Sequence, residues 1–182
     1  FDVGGRVGLG VTERLRVFDA MYKLSILSSL GFHTCIPYSE IYREGITAIT
    51  SADIAVGKDF GYTLKLLAIG KRDGNDVEVR VHPTFVPNEH PLASVRGSFN
   101  AVFLTGDFVD DVMLYGRGAG ARPTGSAIVS DVVYCAERSA HVYSDFDNNG
   151  KLDSAIKLKK DFESAYYISL KLADRPGVLS KI

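Results

Sequence analysis

Apolar side chains recur every three to four positions near the N-terminal end of the chain, the spacing that places them on one face of an α-helix. The pattern predicts a helix from Thr12 or Glu13 to Leu30, with Gly31 as its stop signal. Residues 1–12 contain four glycines and show no such period, so they are predicted to form a flexible arm or junction. The apolar positions of the helix are Leu15, Phe18, Tyr22, Ile26 and Leu30.

Further along, apolar and polar side chains alternate, as they do in half-buried β-strands. Two hairpins are predicted, one with a turn at Asp73-Gly-Asn75 and one with a turn around Gly106-Asp107. A capping threonine at Thr50 and a proline at Pro123 predict two further helices. Helices combined with paired strands indicate an α+β fold, in which helices pack on a mixed or antiparallel sheet. The predicted strands span residues 63–71, 77–86, 98–105 and 111–115, and the predicted helices span 50–61 and 123–138.

The chain changes character after residue 138. Residues 139–164 are polar and rich in turn-forming side chains, which predicts a linker. Alternation returns over residues 165–172 and predicts a new strand, followed by a helix from Asp174. Residues 145–156 match a calcium-binding EF-hand loop at most ligand positions, but Ile156 stands where a bidentate glutamate is required. The sequence therefore favours a solvated linker over a calcium site, and no metal site is predicted.

Composition and charge narrow the class of protein. The chain has 182 residues, 46% of them hydrophobic, and a net charge of −1 with no long run of one sign. This balance argues against nucleic acid or an anionic membrane surface as a partner. No apolar stretch approaches the roughly 18 residues that a membrane-spanning helix needs, and no signal peptide is predicted. Cys35 and Cys135 lie in apolar stretches, which predicts buried thiols in a reducing cytoplasm.

The first candidate for chemistry is an acid and an amine on the predicted N-terminal helix. Asp19 and Lys23 lie four positions apart, so their side chains share one helix face. An ordinary surface ion pair would explain this spacing equally well. However, the sequence neighbours of Lys23 are mostly apolar, which predicts a partly desolvated amine. Such an amine can exchange a proton near neutral pH while the carboxylate orients it.

The segment Asp19-Ala-Met-Tyr-Lys23-Leu-Ser-Ile-Leu27 resembles the helix that carries the catalytic aspartate and lysine of homoserine dehydrogenases. Other motifs follow in the order of that family, so the chain is similar to it over residues 17–138. These motifs are Glu44-Gly-Ile46, Thr50-Ser-Ala-Asp53-Ile-Ala55, Gly61-Tyr62, Lys65-Leu-Leu-Ala68, Val79-Arg-Val-His-Pro83, His90-Pro-Leu-Ala-Ser-Val95, Phe99-Asn-Ala-Val102 and Tyr115-Gly116.

The resemblance implies a reaction and a division of the chain. Homoserine dehydrogenases interconvert L-aspartate-4-semialdehyde and L-homoserine with NAD(P), in threonine and methionine biosynthesis. By analogy, Lys23 and Asp19 are the catalytic residues and also contact the substrate, a small molecule. Residues 13–138 correspond to the substrate, catalytic and dimerisation domain, so a cytoplasmic homodimer is expected. Residues 165–182 are similar to the start of an ACT domain, a class of regulatory module that binds amino acids.

The chain departs from the family just before the catalytic helix. Family members carry an acidic stretch there that helps to bind homoserine, whereas this chain has Gly8 and Arg14 at the expected acidic positions. An arginine cannot accept a hydrogen bond from the ammonium group of the substrate. Glu13, next to Arg14, is the candidate that takes over this role.

The second departure from the family concerns the cofactor-binding half, which the sequence does not show. The glycines of residues 4–10 resemble a dinucleotide-binding motif, but no βαβ unit surrounds them. We therefore expect a missing domain to bind most of the NAD(P), and the chain alone to be inactive. Gly118 and Gly120 are the predicted cofactor-binding residues here, although a strand-to-helix turn would also require glycine. The alternative function is a non-catalytic homodimerisation or assembly module derived from this domain.

Overall fold

A computed structural model describes residues 11–137 and 151–172, together with the single residues Arg175 and Val178. It confirms the α+β class predicted from the sequence, with helices packed on a sheet of mixed direction. Two short 3-10 helices lie at Tyr38–Glu40 and Pro91–Ser94. The other elements are α1 (Val11–Phe32), β1 (Tyr42–Arg43), α2 (Ser51–Asp59), β2 (Tyr62–Asp73), β3 (Asp76–Pro87), β4 (Phe99–Gly106), β5 (Asp110–Arg117), α3 (Ala121–Glu137) and β6 (Lys157–Lys159).

The main sheet is built around β3. Along one edge, β3 pairs with β2 as an antiparallel hairpin, in continuous register from Tyr62 opposite Pro87 to Asp73 opposite Asp76. This register confirms the first predicted hairpin, whose tight turn contains Gly74 in the left-handed region, at a φ of 56°. Along the other edge, β3 pairs in parallel with both β1 and β6. The sheet order is therefore β1 and β6 on one side of β3, and β2 on the other.

The core lies between α1 and the inner face of this sheet. Met21 of α1 is 1% exposed, and Val77 and Val81 of β3 are fully covered. Burying side chains of this size contributes about 1.5–3 kcal/mol each to the free energy of unfolding. The chain immediately after α1 is held close to the helix, because the amide of Ile36 donates to the Ser29 hydroxyl over 2.9 Å. The buried members of the core are Val17, Ala20, Met21, Leu24, Ile36, Ile41, Leu66, Val77, Val79, Val81 and Ile156.

Helix α2 begins where the capping threonine predicted it. The Thr50 hydroxyl accepts from the Asp53 amide over 3.2 Å, and the Asp53 carboxylate accepts from the Thr50 amide over 2.8 Å. This reciprocal pair is a capping box, which satisfies two backbone donors at the start of the helix. The Thr50 hydroxyl also donates to the carboxylate, and this hydrogen bond is the main cause of a lowered pKa at Asp53.

The second predicted hairpin is also confirmed, and it forms a separate two-stranded sheet of β4 and β5. Buried Lys65 of β2 donates from Nζ to the Val95 carbonyl and so ties the main sheet to the segment that leads into β4. The following helix, α3, begins at Ala121, two residues before the predicted start at Pro123. None of the described side chains of α3 is buried.

Three expectations from the sequence are wrong. The strand predicted over residues 165–172 does not form, because nothing among the described residues pairs with this segment. Residues 139–164 were expected to form a linker without strands, but they contain β6, which pairs with β3. The polar side chains of Lys157 and Lys159 gave no sign of this strand, because the pairing is made by the backbone. Cys135 is exposed on α3 and Cys35 is only half-buried, so neither is the fully buried thiol that its apolar sequence neighbours suggested.

Some predicted features lie outside the described residues. These are the arm up to residue 10, residues 145–150 of the calcium-loop match, and all of the helix predicted from Asp174 except Arg175 and Val178. In the part of the chain that is described, no helix combines the length and apolar character needed to cross a membrane. The same part contains no cluster of three or more histidine, cysteine or acidic side chains suited to a metal ion.

Candidate functional site

Helix α1 brings the two predicted catalytic side chains together. Lys23 Nζ lies 2.8 Å from Asp19 Oδ2, so the ammonium donates a hydrogen bond and forms an ion pair. The two residues are one helical turn apart, and this spacing alone places them on the same face. Both side chains remain open to solvent, with 46% of Lys23 and 60% of Asp19 exposed. A small polar substrate could therefore reach both groups directly.

The predicted desolvation of Lys23 is wrong for this chain. Ala20 and Leu24, two of the apolar residues near it in sequence, pack into the core and are 4% and 5% exposed. Helix geometry turns them about 60° and 100° away from Lys23 around the axis, so they can pack on the sheet while the amine stays in solvent. What this chain provides is an oriented, hydrated ammonium group rather than a buried one.

The ion pair is surrounded by apolar side chains that also face solvent. We call this surface the α1 face. Tyr22 packs edge-on against Tyr38 of the first 3-10 helix, with ring centroids 5.2 Å apart. The sequence pattern did not identify Tyr38, because no periodicity links it to α1. The apolar members of the α1 face are Tyr22, Ile26, Leu27 and Leu30, which are 48%, 61%, 40% and 48% exposed.

Glu13, the third predicted substrate contact, falls within the first turn of α1. The side chains of Glu13 and Arg14 lie outside those that the structure describes, and Gly8 precedes the described residues altogether. Glu13 as a substitute for the missing acidic residues therefore stays a prediction from the sequence.

Gly118 and Gly120, the predicted cofactor contacts, lie in the connection between β5 and α3. Gly120 has a φ of 121°, a backbone conformation that side chains disfavour. Gly118 donates its amide to the Ser98 carbonyl over 3.2 Å. A Cβ atom at Gly118 would overlap the side-chain amide of Asn100, so any larger residue requires that side chain to move. The local backbone and packing therefore explain why glycine occupies both positions.

The arginine of this turn folds back onto β4. Arg117 donates from Nη1 to the Ser98 hydroxyl over 2.9 Å, and its guanidinium lies 4.7 Å from the centre of the Phe99 ring. Phe99 in turn stacks on Tyr115 with ring centroids 4.8 Å apart. These contacts leave the backbone of the turn exposed ahead of the N-terminus of α3, where free amides favour an anionic group.

The contact at Gly118 gives a testable prediction. Gly118→Ala should lower the free energy of unfolding by about 1–3 kcal/mol, because the new methyl group would displace Asn100. The double variant Gly118→Ala/Asn100→Ala should recover most of this loss. Gly116→Ala is the matched control, since a Cβ atom there would meet nothing within 4 Å. Urea unfolding measures all of these variants, and equal losses for Gly116→Ala and Gly118→Ala would contradict the explanation.

Known proteins resemble this chain along most of its length. The model of the homoserine dehydrogenase family matches residues 11–133, from the start of α1 into α3. Homoserine dehydrogenases of Helicobacter pylori and Mycobacterium bovis are 39% and 41% identical to it, over 92% and 94% of this chain. The matched regions are 39% and 40% of those proteins, so the chain spans about two fifths of the curated relatives' length.

A solved structure shows the same relationship in three dimensions. The crystal structure of a homoserine dehydrogenase from Thiobacillus denitrificans superposes with a TM-score of 0.68 and 37% identity. The superposition covers 78% of this chain and 34% of that one. Family model, sequence identity and fold therefore agree. The chain belongs to the homoserine dehydrogenase family.

Proposed function

We propose that this chain is the substrate-binding and catalytic domain of an NAD(P)-dependent homoserine dehydrogenase. The reaction interconverts L-aspartate-4-semialdehyde and L-homoserine, a step of threonine and methionine biosynthesis, in the cytoplasm. One observation carries the proposal: Lys23 and Asp19 form a 2.8 Å ion pair on an exposed helix face, inside the segment that matches the family. The alternative of a non-catalytic assembly module is not favoured by this match.

The ion pair is suited to the proton chemistry of carbonyl reduction. When the aldehyde carbon gains a hydride, its oxygen becomes an alkoxide that needs a proton and a nearby positive charge. The Lys23 ammonium donates that proton, and Asp19 holds the amine in place through their hydrogen bond. In the opposite direction the neutral amine accepts the proton of the homoserine hydroxyl. Asp19 also offers Oδ1 and its free lone pairs to a substrate ammonium group.

The nicotinamide cofactor supplies the hydride when it is bound. Among the described residues, the exposed backbone at Gly118 and Gly120 and the start of α3 would hold part of such a cofactor. The close contact between Gly118 and Asn100 also explains that glycine without a cofactor. We therefore assign most of the cofactor binding to a domain outside this chain, and we expect the chain alone to be inactive.

A homodimer is the second part of the proposal, supported by exposed apolar surface on α3. Val129, Val132 and Val133 are 62%, 63% and 48% exposed, although they form one stripe of the helix. A helix of 17 residues with no buried side chain gains little stability from packing within its own chain. A second copy that covers this stripe would supply the missing contacts. Residues 165–182 are proposed to correspond to the start of an ACT domain.

Calorimetric titration with L-homoserine tests the substrate site in the chain itself. We expect the native chain to bind, and Lys23→Ala to weaken binding, because the ion pair would be lost. Lys71→Ala removes an exposed lysine of β2 and serves as the control that should bind like the native chain.

The Arg14→Asp variant examines the departure from the family. It restores an acid at a position where relatives carry one, so we expect it to bind homoserine more tightly than the native chain. Absence of binding in the native chain and in Arg14→Asp would contradict the substrate assignment and would favour the assembly module.

A further inference from the structure

Residues 151–167, which we call the strap, run along the surface of the main sheet. The strap begins beside the end of α1, where the Asp153 amide donates to the Thr34 hydroxyl over 3.0 Å. Ile156 is 8% exposed and packs into the same core cluster as Met21 of α1. The next amide, at Lys157, donates to the Asn75 carbonyl over 2.8 Å and starts β6. These contacts hold the first half of the strap against α1 and the main sheet.

Phe162 is the first aromatic anchor of the strap. Its ring lies parallel to that of His82, with an interplanar angle of 4° and centroids 5.8 Å apart. Tyr42 meets the same ring edge-on at 5.6 Å, and the guanidinium of Arg80 lies 4.3 Å from its centre. Phe162 therefore contacts both β1 and β3, with a charged and two aromatic neighbours. Contacts of this kind are favourable beyond the surface that they bury.

Tyr167 is the second anchor, and it contacts a different element. Its hydroxyl donates to Oδ1 of Asp53 over 3.1 Å, and its ring packs edge-on against Phe85 at 5.3 Å. Asp53 is the acidic residue of the capping box, and its other oxygen accepts from Thr50. One carboxylate thereby joins the end of the strap to the first turn of α2.

The segment after the second anchor is open to a partner. Tyr166, Ile168 and Leu170, which lie close to Tyr167 in the sequence, carry large apolar side chains. These three side chains are 70%, 72% and 55% exposed. A partner that covers these side chains would lie close to the hydrogen bond between Tyr167 and Asp53.

We propose that the strap couples the position of residues 168–172 to the first turn of α2, through Phe162 and Tyr167 acting as one clasp. Displacement of residues 168–172 breaks the hydrogen bond from the Tyr167 hydroxyl to Asp53 and destabilises the first turn of α2. Helix α2 packs on β2. β2 also packs against α1, the helix that carries Asp19 and Lys23. The inference concerns regulation and stands independently of the reaction proposed above.

Hydrogen exchange followed by mass spectrometry, over peptides covering residues 50–60 and 151–167, tests this coupling in the full chain. Tyr167→Phe removes one hydroxyl and should speed exchange at the start of α2 by about threefold to tenfold, the value of one hydrogen bond. Phe162→Ala should speed exchange in the strap and also at the start of α2, although Phe162 packs on β1 and β3. Tyr115→Phe, which removes an exposed phenol hydroxyl on β5, should change neither peptide.

The double variant Phe162→Ala/Tyr167→Phe completes the experiment. If the two anchors act as one clasp, its effect on residues 50–60 should be smaller than the product of the two single effects. Multiplicative effects would overturn the proposal, because the anchors would then act separately. Unchanged exchange at residues 50–60 in Phe162→Ala would overturn it as well, even if the strap itself loosens.

Discussion

Lys23→Met is expected to lower kcat by about 10²–10⁴-fold in a complete enzyme, the range over which a positioned general acid accelerates a reaction. A chimera supplies such an enzyme: residues 17–137 of this chain would replace the matching segment of the Helicobacter pylori homoserine dehydrogenase. Methionine keeps the unbranched shape of lysine, so α1 should keep its packing. It has no ionisable group, so it cannot donate a proton to the substrate. The measurement is the rate of nicotinamide oxidation with aspartate-4-semialdehyde as substrate.

The distribution of the loss between kcat and KM identifies the role of Lys23. A proton donor acts chiefly in the transition state, so kcat should fall more than KM rises. Lys71→Met in the same chimera changes an exposed lysine on β2 and should leave both parameters as they were. A Lys23→Met chimera with an unchanged kcat would reduce the Asp19–Lys23 pair to an ordinary surface ion pair, worth at most about 0.5 kcal/mol.

The hairpins show what the sequence could predict. Alternating side chains and a turn with Gly74 determine both the pairing of β2 with β3 and its register, because these signals are local. The capping box of Thr50 and Asp53 is equally local, and α2 begins where it indicates. The Asp19–Lys23 contact also follows from helix geometry alone. All of these features depend on residues that are close in sequence.

Helix α1 shows where prediction from sequence fails. Its existence was predicted, but the stripe that contains Tyr22, Ile26 and Leu30 faces solvent instead of the sheet. The side that packs on the sheet includes Ala20 and Ser28, small or polar residues that permit close approach. Periodicity identifies an apolar face but does not say which surface covers it. The missed β6 has the same cause, since its pairing joins residues distant in sequence.

Helices α1 and α3 both expose a stripe of apolar side chains. Large apolar patches on a protein surface mark sites of interaction. The chain spans about two fifths of its curated relatives, so regions that those proteins carry elsewhere in their sequences are candidate partners for this surface. A second copy and a second domain are therefore competing partners for these faces. A charge placed on one stripe distinguishes them, because only self-association changes the mass of the isolated chain.

Val132→Asp is expected to convert a homodimer of this chain into a monomer. Val132 lies in the middle of the α3 stripe and is 63% exposed within one copy, so aspartate costs little in the monomer. In a dimer that buries this stripe, the same carboxylate would be desolvated without a partner. Light scattering coupled to size exclusion should give twice the 19.8 kDa of one chain for the native protein and a single chain mass for the variant. Ser130→Asp adds the same charge to another side of α3 and should remain dimeric, whereas a native chain that is monomeric at all concentrations would assign the stripe to a second domain.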